Sequence, residues 1–370
     1  MTVTPFELPS LPQTGEPIPW NNYGQLESQA LATLARLDGM MISNAKADLF
    51  WVTWLIKEAQ CSNVIEGTVT TFDEVIGENA GIVVSASRKD DVREVLNYRD
   101  AMLDGLSEII DKKRTISLSF VKGLHARLLD GTRGMHKTPG EPRKVQVHIG
   151  RPGDGIEKAM YIPPNPFHLQ SLLDNWLSFL SRNDLNPVVQ AAVMHAQFEM
   201  IHPFLDGNGR MGRLLITMFL AEKKVLSTPC FYMSAYLQAH RDMYYETLRM
   251  ISKKGDWNPW IEFFLKGVIE HCTSNVNLLI NMTKLYEESK EKFVNATNSS
   301  FAINSLDYIF TTPIFSIPGL RNKYKQTLSQ QVASQLVNKL VSAKLIERIY
   351  SGVGSRPSVY RFPALLNLLA

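Results

Sequence analysis

Twelve consecutive residues, His202-Pro203-Phe204-Leu205-Asp206-Gly207-Asn208-Gly209-Arg210-Met211-Gly212-Arg213, bring together an imidazole, a carboxylate, two turn dipeptides and two guanidiniums. His202 is the side chain here that titrates near neutral pH, which suits it to taking a proton. Asp206 offers the hard oxygen that Mg2+ prefers. Asp206-Gly207 and Asn208-Gly209 can reach positive φ and keep bulk out of the loop. Arg210 and Arg213 lie three apart and share a helix face, and two forked guanidiniums beside free backbone N–H groups suit the outer phosphates of a nucleotide. Each signal alone is ordinary, since turn pairs are common and a lone His before Pro is more often a packed residue. Their order within one segment points to a polyphosphate site with a base beside it.

Two helices must hold this loop. Residues 188–200 are apolar and free of breakers, as expected of a buried helix, and Pro203 disfavours helix at His202. A second apolar run, 210–221, begins a new helix whose N-terminus presents unpaired N–H groups and the positive end of its dipole. Two arginines in that first turn have the wrong sign for the dipole, a local conflict that often marks a functional site.

The segment resembles the signature of the Fic family, H-P-F-x-D/E-G-N-G-R-x-x-R, and fits it at every specified position. The similarity extends from about Val145 to Trp260 and more loosely over most of the chain. The resemblance implies a nucleotidyltransferase that moves AMP from ATP onto a Ser, Thr or Tyr hydroxyl of a protein, itself included, and releases pyrophosphate. It implies His202 as the base and Asp206 as the Mg2+ ligand at the α- and β-phosphates. Gly207, Asn208 and Gly209 would form the anion nest, with Asn208 also at the α-phosphate. Arg210 would reach the β-phosphate and Arg213 the γ-phosphate, with Met211 and Gly212 completing the ATP-binding turn.

Upstream, residues 45–65 read as a helix and Gly67 as the residue just past its end. Ser62 and Glu66 share a face of it, and an acid at a helix C-terminus is again the wrong sign for the dipole. Pairing Glu66 with Arg213 would resolve both misplaced charges. Ser62-Asn63-Val64-Ile65-Glu66-Gly67 is similar to the inhibitory motif of Fic proteins, S/T-x-x-x-E-G/N. The resemblance implies autoinhibition from within the chain: Glu66 denies Arg213 to the γ-phosphate, and ATP binds with its α-phosphate turned from attack.

Val145 to Ile149, the turn cluster 150–155 and Ala159 to Ile162 carry a β-hairpin signal. In Fic proteins this hairpin is the flap that clamps the target by strand addition, with Met160 and Tyr161 on the nucleotide side; a purely structural hairpin is the alternative. Tyr236, Tyr244 and Tyr245 resemble the family's adenine wall, although aromatic residues at helical spacing are also ordinary core. His195 lacks an H-E-x-x-H context and reads as a packed residue.

With 370 residues and 45% hydrophobic content the chain can bury a large core, in two or three domains. No apolar run approaches a membrane span, and the N-terminus lacks the basic start and apolar stretch of a signal peptide; its prolines suggest an extended arm. Cys61, Cys230 and Cys272 have no metal spacing and are odd in number, which fits a reducing cytoplasm. From residue 301 onward eight Lys/Arg face only Asp307 and Glu347, a net +6 that leaves −3 for the remainder of the +3 chain. Short helices near 305–310 and 317–323, an amphipathic helix over 328–343, and a hairpin from 345–350 and 359–362 suggest a winged helix-turn-helix. Ser329, Gln330, Gln331, Ser334 and Gln335 would then lie on a recognition helix and Arg356 on a wing, facing DNA or a protein partner.

The expected fold is mainly α: an N-terminal region 1–95 with the inhibitory helix, a Fic core 96–295 with its hairpin flap, and a winged-helix domain 300–370. The expected function is a self-restrained AMP transferase. Removal of AMP, transfer of another phosphate-containing group, and a nucleotide-sensing DNA-binding regulator with little transferase activity are the alternatives. A complete motif with its base favours the enzyme, and the family resemblance allows pairing of the chain into a homodimer.

Overall fold

The computed structural model describes residues 4–11, 18, 23–78, 80, 88–150, 153–354 and 356–369. Parts of the expected N-terminal arm, Arg151 and Pro152 of the flap turn, and Ser355 of the wing lie outside these residues.

Fifteen described helices and three short strands make the chain mainly α, as its periodicity predicts. α1 (Gly24–Ser43) buries Ala30, Leu34, Leu37 and Met41, a single stripe at helical spacing. α2 (Ala47–Ile65) buries residues on several sides, among them Phe50, Trp54, Leu55, Ser62 and Ile65. α3 (Phe72–Glu78) is short; α4 (Lys89–Ile110) and α5 (Leu118–Leu128) follow, the latter started by the Ser117 side chain, which accepts the Phe120 N–H. After a long loop come α6 (Leu169–Leu180), α7 (Pro187–Ile201) and α8 (Asn208–Glu222). Asn186 caps α7 through its side chain, with Pro187 at the first turn; α8 has Gly207 at its N-cap and no side-chain cap. α9 (Ser234–Ala239), α10 (Arg241–Lys254) and α11 (Asn258–Thr297) complete the central body.

α7 and α8 pack against each other at its centre and are buried nearly all round, which is why both read as continuous apolar runs rather than stripes. Two buried indoles fix α7: Trp176 donates to the Met194 carbonyl at 3.0 Å and Trp260 to the Ala192 carbonyl at 2.8 Å. α2 and α4 cover α8 from the N-terminal side. α11, 40 residues and therefore about 60 Å long, runs beside α1, α7, α9 and α10 and carries on to the C-terminal elements.

Those elements are α12 (Ala302–Thr311), β1 (Ile314–Ser316), α13 (Ile317–Lys323), α14 (Gln330–Ser342), β2 (Glu347–Tyr350), β3 (Val359–Arg361) and α15 (Pro363–Leu369). The strands form an antiparallel sheet in the order β1-β3-β2, with Phe315 opposite Tyr360 and Glu347 opposite Arg361. β1 and α15 are additions to the expected pattern; β1, with three residues, is too short for periodicity to reveal. Ser329 caps α14 by accepting the Val332 N–H, and Gln330, Gln331, Gln335 and Arg356 are exposed while Ser334 is half-buried.

Two expectations need correction. The boundary at residue 95 falls inside α4, a continuous 22-residue helix, so the N-terminal region and the core share an element. The flap does not form paired strands: Ile149 and Tyr161 make one isolated antiparallel bridge, and residues 156–158 form a 3-10 turn. Side chains take the carbonyls a ladder would need. Arg143 donates to the Val145 carbonyl, and Gln146 donates to those of Val147 and Pro163.

Candidate active site

The loop between α7 and α8 is built around a left-handed residue. His202 caps α7 with φ 49° and ψ 61°, a conformation costing an L-residue roughly 1–2 kcal/mol. Arg143 holds it there. Its Nε donates to the His202 carbonyl at 2.9 Å, its Nη2 to the Pro164 carbonyl at 2.6 Å, and its backbone N–H to the Pro203 carbonyl at 2.8 Å. Burial among carbonyls lowers the pKa of this guanidinium to about 10.

The His202 ring lies against its own helix end, with Nδ1 3.3 Å from the Glu199 carbonyl. A carbonyl only accepts, so Nδ1 carries the proton and the Nε2 lone pair is left to act as a base. Desolvation, reinforced by the charge of Arg143, lowers the imidazole pKa to about 4 and keeps it neutral at physiological pH.

Asn208 closes the loop on itself: its Oδ1 accepts the Phe204 N–H and its Nδ2 donates to the Phe204 carbonyl, both at 2.9 Å. Its side chain is thereby spent on the loop, and its backbone N–H is what it presents outward. The main chain at Asp206 is fixed by His125, whose Nδ1 accepts the Gly140 N–H and whose Nε2 therefore donates to the Asp206 carbonyl, each at 2.8 Å. The His125 ring stacks on Phe204 at 3.7 Å between centroids. Gly207 has φ 79°, a conformation that favours glycine, and the first i→i−4 bond of α8 runs from Met211 N–H to the Gly207 carbonyl. The N–H groups of Asn208, Gly209 and Arg210 precede that bond and have no intrahelical acceptor. Met211 itself is buried, and a Cβ at Gly212 would displace the Glu199 carboxyl, whose Oε1 lies against the glycine.

Charged groups ring this helix end. Asp206 Oδ1 accepts the Gly207 N–H at 2.6 Å and Arg210 Nη2 at 3.2 Å, while the carboxylate remains 41% exposed. Arg213, 1% exposed, donates from Nε to Ser62 Oγ and from Nη2 to both the Ser62 carbonyl and Glu66 Oε1, the last at 2.6 Å. The expected pairing of the two misplaced charges is thus present. The Glu66 carboxylate lies over the first turn of α8, where a Cβ on Gly209 would strike it. Burial pushes the Glu66 carboxyl up, but Arg213 more than offsets this and holds it below its usual range, so it is a carboxylate at neutral pH.

Beside the loop, Ile149, Met160, Tyr161, Tyr244, Tyr245 and Leu248 line an apolar pocket between the flap and α10, with Glu199 in its wall. Tyr161 is anchored by donating to the Met200 carbonyl at 2.8 Å. Tyr236, placed in the same wall by the sequence, instead packs on His240 and on Phe263 of α11 and does not line the pocket. His195 is a buried neighbour of Tyr244, with Nε2 2.9 Å from the phenol oxygen. Arg143 and His125 escaped the sequence argument because a lone Arg in a loop and a lone His in a helix carry no spacing signal.

The fold and site define a helical protein in which a carboxylate from α2 lies over a helix N-terminus without a side-chain cap, with a neutral imidazole beside it. The profile described as Fic/DOC family matches residues 115–220, and that described as Fic/DOC family N-terminal matches residues 25–107. The chain belongs to the Fic/DOC family. It is 30% identical over 218 residues to the Protein adenylyltransferase Fic of Drosophila grimshawi, covering 56% of this chain and 39% of that one. It is 30% identical over 199 residues to that of Aedes aegypti, covering 52% and 34%. The chain thus spans less than half the length of these curated relatives. A Fic family protein from Desulfovibrio desulfuricans G20 shares the fold over 94% of this chain and 98% of its own, with TM-score 0.59 and 20% identity. Fic-1 of C. elegans does so over 70% and 74%, with TM-score 0.56 and 19% identity.

Proposed function

We propose that this chain transfers AMP from ATP to a hydroxyl of a protein side chain and that Glu66 restrains it. The observation that carries this is the neutral imidazole of His202 held beside an uncapped helix N-terminus over which the chain has folded its own carboxylate. Curated relatives named as adenylyltransferases support the same chemistry. The phosphates would lie along the N–H groups of Asn208, Gly209 and Arg210, with Arg210 and Arg213 on the outer ones. The apolar pocket of Tyr161, Tyr244 and Tyr245 would take the base. His202 Nε2 accepts the proton of the incoming hydroxyl as its oxygen bonds to the α-phosphorus; the bond to the bridging oxygen breaks and pyrophosphate leaves with the electron pair. Positioning and charge neutralisation supply most of the rate.

Mg2+ fits the donors present. Among the described residues no group of three or more His, Cys, Asp or Glu could cage a metal, whereas Asp206 offers one exposed carboxylate. One carboxylate together with substrate phosphates is how Mg2+ is usually bound. Asp206 would hold it, and the ion would supply charge neutralisation to the phosphates.

Intact-mass measurement of the Glu66→Gly protein after incubation with ATP and Mg2+ tests the proposal. A gain of one adenylyl unit, absent in Glu66→Gly/His202→Ala, supports it; an unchanged mass on this protein and on added target proteins refutes it.

The C-terminal elements favour a second, additional role. Their helix–strand–helix–helix–strand–strand order and the exposed polar face of α14 beside basic residues suit a winged helix that meets DNA. A salt-dependent mobility shift of duplex DNA by the full chain would support it, and no shift at low salt would refute it.

A further inference from the structure

Glu94 is a buried carboxylate on α4 that the transfer chemistry above does not use, with its side chain 7% exposed. Its Oε2 lies 3.4 Å from Arg210 Nη1 and accepts from Thr68 Oγ1 at 3.1 Å; its Oε1 accepts from Arg133 Nε at 3.1 Å. Arg210 is itself only 5% exposed. A buried guanidinium needs a counter-charge and donors aimed at acceptors. Arg210 has the counter-charge, from Glu94 on one side and Asp206 on the other, but its Nε and Nη1 make no hydrogen bond in the protein. A cation held in place with donors unused is arranged for an acceptor that arrives later.

The geometry points to Glu94 as the positioning residue for Arg210, fixing that guanidinium where it can take the β-phosphate. The inference rests on the nucleotide site proposed above and deepens it. Asp206 is the acid that Mg2+ would draw on, which leaves Glu94, shared with Arg133, as the other carboxylate beside Arg210. Arg133, bound to both Asp91 and Glu94 at 2.8 and 3.1 Å, fixes Glu94 from the solvent side. Thr68, two residues past Glu66, ties the end of the inhibitory segment to the same carboxylate.

The test is a double-mutant cycle read by calorimetric binding of ATP, ADP and AMP with Mg2+, in the Glu66→Gly protein. Glu94→Ala should weaken ATP and ADP by about tenfold, the scale of one charge-assisted hydrogen bond, and leave AMP within about twofold. In an Arg210→Ala background the same change should have no further effect, because Glu94 acts through that arginine. Equal weakening of all three nucleotides, or losses that add in the double variant, would overturn the inference and make Glu94 a structural residue. Should Glu94→Ala fail to fold, Glu94→Gln, which keeps the shape and removes the charge, enters the same cycle with the same outcomes. A parent Glu66→Gly protein that binds none of the three nucleotides refutes the nucleotide site itself, and this inference with it.

Discussion

His202 shows how one residue's chemistry is set by neighbours far away in sequence. The sequence marks it as the base and places it where a helix ends. It does not reveal that the residue itself turns left-handed, because the groups that enforce the turn come from Arg143, a residue with no local pattern. Burial and the Arg143 charge hold the imidazole pKa near 4 against an ordinary value near 6.5. The base-competent neutral form is therefore kept as pH falls from 7 and lost only as pH passes below about 4 to 5. The kcat/KM profile of the Glu66→Gly protein should show no acid limb near pH 6.5 from this group; a limb there would mean that the ring is solvated and ordinary. Arg143→Ala should remove most of the activity through the misplaced loop while raising the pH of that limb, a pair of effects a steady-state pH series resolves.

At the scale of elements, the site is two helix ends of opposite polarity brought together. α8 begins without a side-chain cap, and the C-terminus of α2 delivers the missing anion in the form of Glu66. Both anomalies were legible as charges of the wrong sign at helix ends. What was not legible was the flap: its alternation predicts strands, but Arg143 and Gln146 take the carbonyls of the ladder, a long-range competition that no local pattern encodes. Tyr236 lies outside the pocket for a related reason, since helical spacing cannot say which face of α9 meets α11 and which meets the pocket.

The Glu66–Arg213 contact makes three predictions at this scale. Glu66→Gly should raise label incorporation from α-labelled ATP well above wild type, and equal incorporation would remove Glu66 from an inhibitory role. The same change leaves Arg213, 1% exposed, with only its Ser62 acceptors. It should lower stability by about 1–3 kcal/mol, a range reduced from that of a fully buried pair because Glu66 is 36% exposed. Adding ATP with Mg2+ should restore more thermal stability to the variant than to wild type, as the γ-phosphate replaces the lost carboxylate; an equal shift in both would contradict the account.

At the scale of the whole molecule, the C-terminal elements are packed against α2, the helix that ends at Glu66. Lys46, the residue preceding α2, is 3.0 Å from Asp307, and Phe50 meets Phe310 at 5.8 Å between ring centroids. The polar run at 295–300 falls where α11 ends, and α11 and α2 both pack against the C-terminal elements. Phe310 is fully buried among the rings of Phe50, Tyr286 and Phe362, so Phe310→Ala should cost about 3–5 kcal/mol and lower a single unfolding transition. Two separate transitions would show that the halves fold independently.

Acid stability is also a whole-molecule property here. His125 and His195 are fully buried and desolvation holds their pKa values near 4 and 3. Below pH 6.5 the unfolded chain binds protons at these two rings that the native one refuses, so each ring removes about 2 kcal/mol of stability at pH 5, while buried Glu199, whose carboxyl is pushed up to about 8, works in the opposite direction. Chemical denaturation of wild type and His195→Gln at pH 7 and 5 reads the imidazole share: the variant should lose about 2 kcal/mol less than wild type on acidification, and an equal change in both would contradict it.

The most direct test of the account is a crystal structure of the Glu66→Gly protein with ATP and Mg2+. The account predicts phosphates along the first turn of α8, Arg213 moved from Ser62 onto the terminal phosphate, and His202 Nε2 facing the α-phosphorus opposite the pyrophosphate. A nucleotide bound elsewhere, or an Arg213 still held by Ser62 with the α8 N-terminus bare, would contradict it.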